Sequence, residues 1–174
     1  MMQRTLVLLL TLAAVAVSFE PAGVAGAYTP IQPLPEAARA RLLRYIASED
    51  TDAFLADSLF VPRLNRLLGA ELPHLRQNID VRGSVAYNSG MVYVTGNAPH
   101  HGGEEHGFIG IETYSGRICA AVYSGGRFDV YGAGTDRDGV PVALREWILG
   151  TWAYVSLDGS IPSTATLVGE APNR

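Results

Sequence analysis

The chain has 174 residues, with 13 basic side chains against 17 acidic ones, and its formal net charge is −4 at pH 7. This acidic balance argues against nucleic acid or another polyanion as a partner. The single cysteine, Cys119, excludes an intramolecular disulfide, and its alternating apolar neighbours indicate a buried strand position rather than a catalytic thiol.

The first 27 residues have the pattern of an export signal. Arg4 supplies positive charge, an apolar run covers residues 6–17, and Ala25-Gly26-Ala27 fits a small-residue cleavage site. We therefore expect cleavage before Tyr28 and a single domain over residues 28–174. Nothing later approaches about 18 unbroken apolar residues, so we expect the mature protein to be exported and soluble, without a membrane association.

A helical pattern of apolar residues begins at residue 36, directly after a proline-rich segment. In the last of three candidate helices, Pro62 falls in the first turn, where its missing N–H costs little, and Gly69 can adopt a left-handed cap. The predicted helices cover residues 36–47, 51–59 and 61–68.

From Ile79 onward the pattern alternates, which predicts strands joined mostly by tight turns in an antiparallel meander. Both faces of this sheet carry apolar side chains and need a helical cover, which the N-terminal helices and a last helix near 141–149 can provide. Beyond Gly159 we expect irregular chain. The fold class is therefore α+β, with a five-stranded antiparallel sheet flanked by N-terminal helices and one C-terminal helix. The predicted strands cover residues 80–87, 90–95, 107–113, 117–123 and 127–132.

One connection in this meander is much longer than the others. The segment Pro99-His100-His101-Gly102-Gly103-Glu104-Glu105-His106 holds three of the four histidines. Tight turns suffice elsewhere, so roughly 9–10 residues between two strands of the same sheet need a reason beyond reversing the chain. Polar loops held by strands often carry binding residues, so this loop is the candidate site.

The loop residues favour binding over catalysis. Glu104 and Glu105 are adjacent, so in extended chain they point in opposite directions and cannot flank one substrate bond. With no nucleophile or phosphate-binding motif elsewhere, we expect neither an enzyme nor a cofactor. The alternative is a zinc-binding module that uses His100, His101 and His106 with a loop glutamate, although their spacing matches no helix-borne ligand set.

The order of these elements resembles the Ivy family, the inhibitors of vertebrate lysozyme. The resemblance is carried by the helices that end near Leu68-Gly69, the strand that runs into Asn97-Ala98-Pro99-His100-His101-Gly102, and the following Phe108-Ile109-Gly110-Ile111. In that periplasmic family a protruding Cys-Lys-Pro-His-Asp-Cys loop places its histidine against the catalytic carboxylates of lysozyme. The resemblance implies the same role for His100, next to Pro99.

The chain departs from the family pattern at the loop cysteines. Asn97 and Gly102 stand where the family has its cysteine pair, Ala98 replaces the lysine, and His101 replaces the aspartate. Without this covalent brace we expect a higher ordering cost and weaker binding, which leaves open a different target enzyme or a loss of inhibition.

These observations lead to two hypotheses and leave a third reading open. The first is a periplasmic inhibitor of a C-type lysozyme or a lytic transglycosylase that inserts a histidine loop into the acidic cleft. The second is the periplasmic zinc module. The third is an interaction domain that shares only the architecture. A protein partner is expected, with a homodimer also open. The residues assigned to the target-binding loop are Pro99, His100, His101, Gly102, Glu104, Glu105 and His106.

Overall fold

A twisted sheet with helices packed on both faces forms the described part of the chain. The structure is a computed structural model that describes residues 32–101, 103–133, 139–155 and 165–168, with only the backbone described for 152–155 and 165–168. The signal segment predicted at residues 1–27, and Gly102, lie outside the described residues. Within them the helices are α1 (Glu36–Leu43), α2 (Thr51–Leu55), α3 (Val61–Leu68), α4 (Leu72–Gln77) and α5 (Val142–Val155).

The predicted helices are present, with shorter bounds at the first two. Asp50 caps α2 by accepting a hydrogen bond from the Ala53 N–H at 2.9 Å. Pro62 lies in the first turn of α3, as predicted. Gly69 follows that helix with a positive φ of 51°, but its ψ of −115° lies outside the left-handed helical region that was predicted for the cap. The sequence analysis missed α4, a six-residue helix that begins directly after a 3-10 turn at Gly69–Glu71.

The strands form one sheet in the order β1-β3-β4-β5-β6-β7, with β2 also paired to β3. Every pairing from β1 to β6 is antiparallel, as predicted. The segment predicted as one strand at 80–87 forms two short strands, β1 and β2, that pair with different parts of β3. The strand bounds are β1 (Val81–Arg82), β2 (Ala86–Asn88), β3 (Met91–Asn97), β4 (Glu105–Glu112), β5 (Ile118–Ser124), β6 (Arg127–Tyr131) and β7 (Ala165–Val168).

The last strand corrects the expectation of irregular chain beyond Gly159. Residues 165–168 pair in parallel with β6, with Phe128 opposite Ala165. A parallel partner must arrive through a long crossover, here by way of α5, so no short turn motif announces it. The α+β class and the antiparallel meander are confirmed, and β7 extends the sheet at the edge formed by β6.

Each face of the sheet packs against its own helical layer. Along β4 the odd-numbered side chains Ile109 and Ile111 join the cluster with α1 to α4, and the even-numbered Phe108 joins the cluster with α5. This alternation is the period-2 pattern of a strand buried on both faces. The two-layer cover predicted from the sequence is therefore confirmed.

Candidate functional site

The histidine loop connects β3 and β4 in the body of the sheet. The register places Asn97 opposite His106, and the Ala98 N–H donates the next hydrogen bond to the Glu105 carbonyl at 3.1 Å. Since β4 is also paired with β5 along its length, the loop stands on strands that are held on both sides. Ala98 is fully buried and anchors the start of the loop.

His100 occupies the corner of a β-turn. The His101 N–H donates to the Ala98 carbonyl at 3.2 Å, with Pro99 second and His100 third in the turn. His100 has a φ of +64°. Proline at the second position and a positive φ at the third are the features of a type II turn, in which glycine or asparagine is the usual third residue. The turn therefore presents the His100 side chain at an exposed tip.

A second turn follows directly. The His101 carbonyl accepts hydrogen bonds from the N–H groups of Glu104 at 3.0 Å and Glu105 at 3.1 Å. Gly103 has a φ of +102°, a conformation that few side chains tolerate. Two consecutive hydrogen-bonded turns thus shape the loop from within, although it lacks the cysteine pair.

The imidazole of His101 and the carboxylate of Glu104 lie beside the tip and face solvent. Their side chains are 54% and 80% exposed, and Nδ1 of His101 lies 3.5 Å from Oε2 of Glu104. At that separation and exposure the pair contributes little to stability. Both side chains remain accessible to another molecule.

His106 has a different environment from the other two loop histidines. It is partly buried, and its Nε2 accepts a hydrogen bond from the Gly103 N–H at 3.2 Å. Its ring lies 6.0 Å from that of Tyr123 on β5. Burial lowers the pKa of His106, which favours the neutral ring whose Nε2 can accept this bond. The geometry therefore assigns His106 a supporting position beneath the loop.

Asn78 supports the same end of the sheet from the helical layer, and the sequence analysis missed it. Its side chain is fully buried at the end of α4, and Nδ2 donates to the Tyr123 carbonyl at 3.3 Å and the His106 carbonyl at 3.5 Å. Gly107 on β4 packs tightly against the residues that follow α4. A Cβ added to Gly107 would lie only 2.5 Å from Cγ2 of Ile79. The only sequence signal was a polar residue between Leu75 and Ile79, two apolar positions.

An open depression of about 410 Å³ adjoins the loop. Its walls are the loop segment Gly103–Glu105 and the turn between β5 and β6, where Gly125 and Gly126 both have positive φ. The predicted loop residues Glu104 and Glu105 line it together. The loop end of the sheet therefore combines an exposed tip with a concave flank.

No observation favours the zinc alternative. Among the residues the structure describes, no group of three or more histidine, cysteine, aspartate or glutamate side chains is arranged to hold a metal ion. His106 accepts a hydrogen bond from the loop backbone, while His100 and His101 face solvent.

Cys119 has the buried position that its sequence context indicated. It is fully buried on β5, and burial raises the pKa of its thiol to about 12. A thiol with that pKa carries almost no thiolate near neutral pH, so Cys119 behaves as a small core residue.

Among the described residues, no helix has the length and apolar character that a membrane span requires.

Comparisons with known proteins agree with this architecture. No curated protein and no solved structure matches the chain. The family model described as inhibitor of vertebrate lysozyme (Ivy) matches residues 60–152, more than half of the 174 residues. The matched segment runs from the start of α3 into α5 and includes the whole histidine loop. A family of inhibitors implies a lysozyme as protein partner and a role other than catalysis. The chain belongs to the Ivy family, the inhibitors of vertebrate lysozyme.

Proposed function

We propose that this protein inhibits a peptidoglycan-cleaving enzyme, a C-type lysozyme or a lytic transglycosylase, by inserting His100 into the acidic active-site cleft. The observation that carries the proposal is the exposed His100 at the corner of a turn, on a loop held between two paired strands. Pro99, His101, Gly102 and Glu104 flank His100 in the contact. Glu105 and His106 complete the loop at its base.

The chemistry of the cleft explains why an imidazole suits it. A glycosidase cleft holds two carboxyl groups, of which at least one is ionised. An imidazole ring can donate hydrogen bonds from both nitrogens when protonated, and bonds between charged partners are about twice as strong as neutral ones. His100 then occupies the position that the sugar ring needs.

Hydrogen bonds within the loop support it in place of the missing cysteine pair. The two turns fix the backbone of the loop, Asn97 Nδ2 donates to the Ala98 carbonyl at 3.0 Å, and His106 accepts from Gly103. A loop that is ordered before binding loses less conformational entropy in the complex. We therefore expect inhibition to persist without the covalent closure.

The location follows from the same proposal. We propose that residues 1–27 direct export, that they are removed, and that residues 28–174 act as one domain in the periplasm. There the inhibitor meets enzymes that act on peptidoglycan. Amino-terminal sequencing of the protein recovered from a periplasmic extract tests the cleavage site, and a start other than Tyr28 contradicts it.

The loop mechanism is tested with variants that keep the turn. Alanine at position 100 would strain the positive φ, whereas asparagine and glycine tolerate it. We expect His100→Asn and His100→Gly to lose inhibition of cell-wall lysis by at least about tenfold, because the proposal makes His100 one of the few residues that dominate the binding energy of the interface. The matched control is His74→Asn, a surface histidine on α4. Inhibition by both His100 variants at the parent level would exclude the plug mechanism.

A panel of enzymes identifies the target class. The mature protein is titrated against a C-type lysozyme and against a lytic transglycosylase, with release of soluble peptidoglycan fragments as the readout. Inhibition of either enzyme that depends on His100 supports the proposal. Failure to inhibit both at micromolar concentration would refute it.

A further inference from the structure

A second concave surface lies at the other end of the sheet from the histidine loop. A groove of about 600 Å³ lies between three elements: residues 32–35, which precede α1, helix α3, and the turn that joins β4 to β5. The loop precedes β4 and this turn follows it, so the length of β4, roughly 24 Å at about 3.4 Å per residue, separates them. The groove residues used below are Leu34, Arg63, Arg66, Leu67, Arg117 and Ile118.

Two guanidinium groups on α3 give the groove its positive charge. Arg63 and Arg66 are three residues apart and therefore share one face of the helix. Arg63 Nη1 donates to the Leu59 carbonyl at 3.1 Å, which holds that side chain in place. Within the described part of the chain, neither arginine forms an ion pair with a carboxylate.

The opposite wall is neutral overall. Arg117 Nη2 donates to Oε1 of Glu112 at 2.6 Å, and Ser115 donates to the other oxygen of that carboxylate at 2.6 Å. The charge of Arg117 is thereby balanced inside the protein. Among the described residues, the uncompensated charge of the groove therefore comes from Arg63 and Arg66.

An apolar surface lies between these walls. Leu34 and Leu67 are partly buried, Ile118 is 5% exposed, and all three line the groove. A site with an apolar floor and a few convergent polar groups is typical of small-molecule binding, and this volume is in the range of such sites.

We propose that the groove binds a small soluble molecule that carries a phosphate group next to an apolar group. Two uncompensated guanidinium groups match the double negative charge of a phosphate monoester, and their planar donors suit its oxygens. The apolar group packs on Leu34, Leu67 and Ile118. The net charge of −4 opposes docking on an extended anionic surface, which favours a small ligand.

In the test, the mature protein is titrated with two probes, inorganic phosphate and phenyl phosphate. Binding is followed by NMR through the chemical shifts of the backbone amides. We expect saturable shifts at the turn between β4 and β5, with tighter binding of phenyl phosphate because its ring reaches the apolar floor. Arg63→Gln and Arg66→Gln should each weaken binding by about tenfold, the value of a charged hydrogen bond. Arg66→Gln removes no hydrogen bond within the described residues, so its effect does not depend on a change in folding.

The matched control is Arg145→Gln, an exposed arginine on α5 at the other face of the sheet, which should bind both probes like the parent. Absence of saturable binding overturns the proposal. Equal weakening by all three arginine variants also overturns it. No muramidase is present in these titrations, so their outcome is independent of the lysozyme-inhibitor proposal.

Discussion

Replacing His106 by phenylalanine tests the hydrogen bond that supports the histidine loop. Phenylalanine keeps an aromatic ring near Tyr123 but has no acceptor for the Gly103 N–H, which now meets His106 Nε2 at 3.2 Å. Glutamine is the matched rescue variant, because its side-chain oxygen can accept a bond from a similar position and does not titrate. We expect His106→Phe to weaken inhibition and His106→Gln to restore most of it.

The size of the effect follows from one partly buried hydrogen bond. Such a bond contributes about 0.5–1.5 kcal/mol, which is about a 2- to 12-fold change in an equilibrium constant. The loop retains its turns at His101 and its contact to Ala98, so the fold should stay intact. The inhibition constant of His106→Phe should therefore rise by about 2- to 12-fold, and the free energy of unfolding should fall by no more than about the same 0.5–1.5 kcal/mol.

The pH dependence has a definite sign. Burial lowers the pKa of His106 in the folded protein below its ordinary value of about 6.5. A depressed pKa means that the neutral form is stabilised, so this contribution is present above about pH 6.5 and is lost as the pH falls through the lower folded value. Protonation also places a hydrogen on Nε2, which then cannot accept from Gly103.

The assay compares inhibition constants over a series of falling pH values that starts at pH 7.5, each as a ratio to the parent at the same pH, so the pH dependence of the target enzyme cancels. The ratio for His106→Gln should fall as the pH drops through the lowered folded pKa of His106, because glutamine keeps its acceptor while the parent loses it. The reasoning is refuted if His106→Phe and His106→Gln have the same ratios at every pH.

Three further predictions concern the support of the site and the core. Asn78→Ala should lower the free energy of unfolding by about 1–3 kcal/mol in urea denaturation, since two carbonyls of the sheet lose a buried donor; an unchanged midpoint contradicts this role. Gly107→Ala should lower the free energy of unfolding by about 1–3 kcal/mol, because the added methyl group overpacks the core. Gly83→Ala, which has open space around its Cβ, should lower it less. Equal values for the two variants would show that the helical layer shifts to make room for the methyl group. Cys119 should resist alkylation at pH 8 until the protein unfolds, and rapid native labelling would mean that β5 opens.

The sequence predicted the meander and its helical cover because both depend on local periodicity. The strand pattern of Ile109 and Ile111 against Phe108 indicated apolar surface on both faces, and the structure confirms it. The segment that follows Gly69 was missed because α4 has only six residues and follows α3 after a single 3-10 turn, so its apolar positions are too few to show a helical period. The strand at 165–168 depends on a long-range parallel pairing, which local patterns do not encode.

At the site, the position of the loop was predictable and the roles of its histidines were only partly so. Loop length and composition indicated residues 99–106, and His100 is exposed as the mechanism requires. The partial burial of His106 had a signal that was not used: it lies two residues before Phe108, and alternation along a strand directs both side chains to the same face. The hydrogen bond from Gly103 depends on the backbone path of the loop, which no periodicity reveals.

The conformation of His100 is itself an argument for function. Glycine is the favoured residue at the third position of a type II turn, and a non-glycine residue with positive φ costs about 1 kcal/mol. The chain carries two glycines within three residues of this corner, yet it has a histidine at the position where glycine would remove the strain. Strain that persists at an exposed tip, where no core packing requires the side chain, is expected where that side chain acts on another molecule. His100→Gly should therefore separate the two properties, because the relief of strain offsets the added entropy of the unfolded chain and the fold keeps its stability while inhibition is lost.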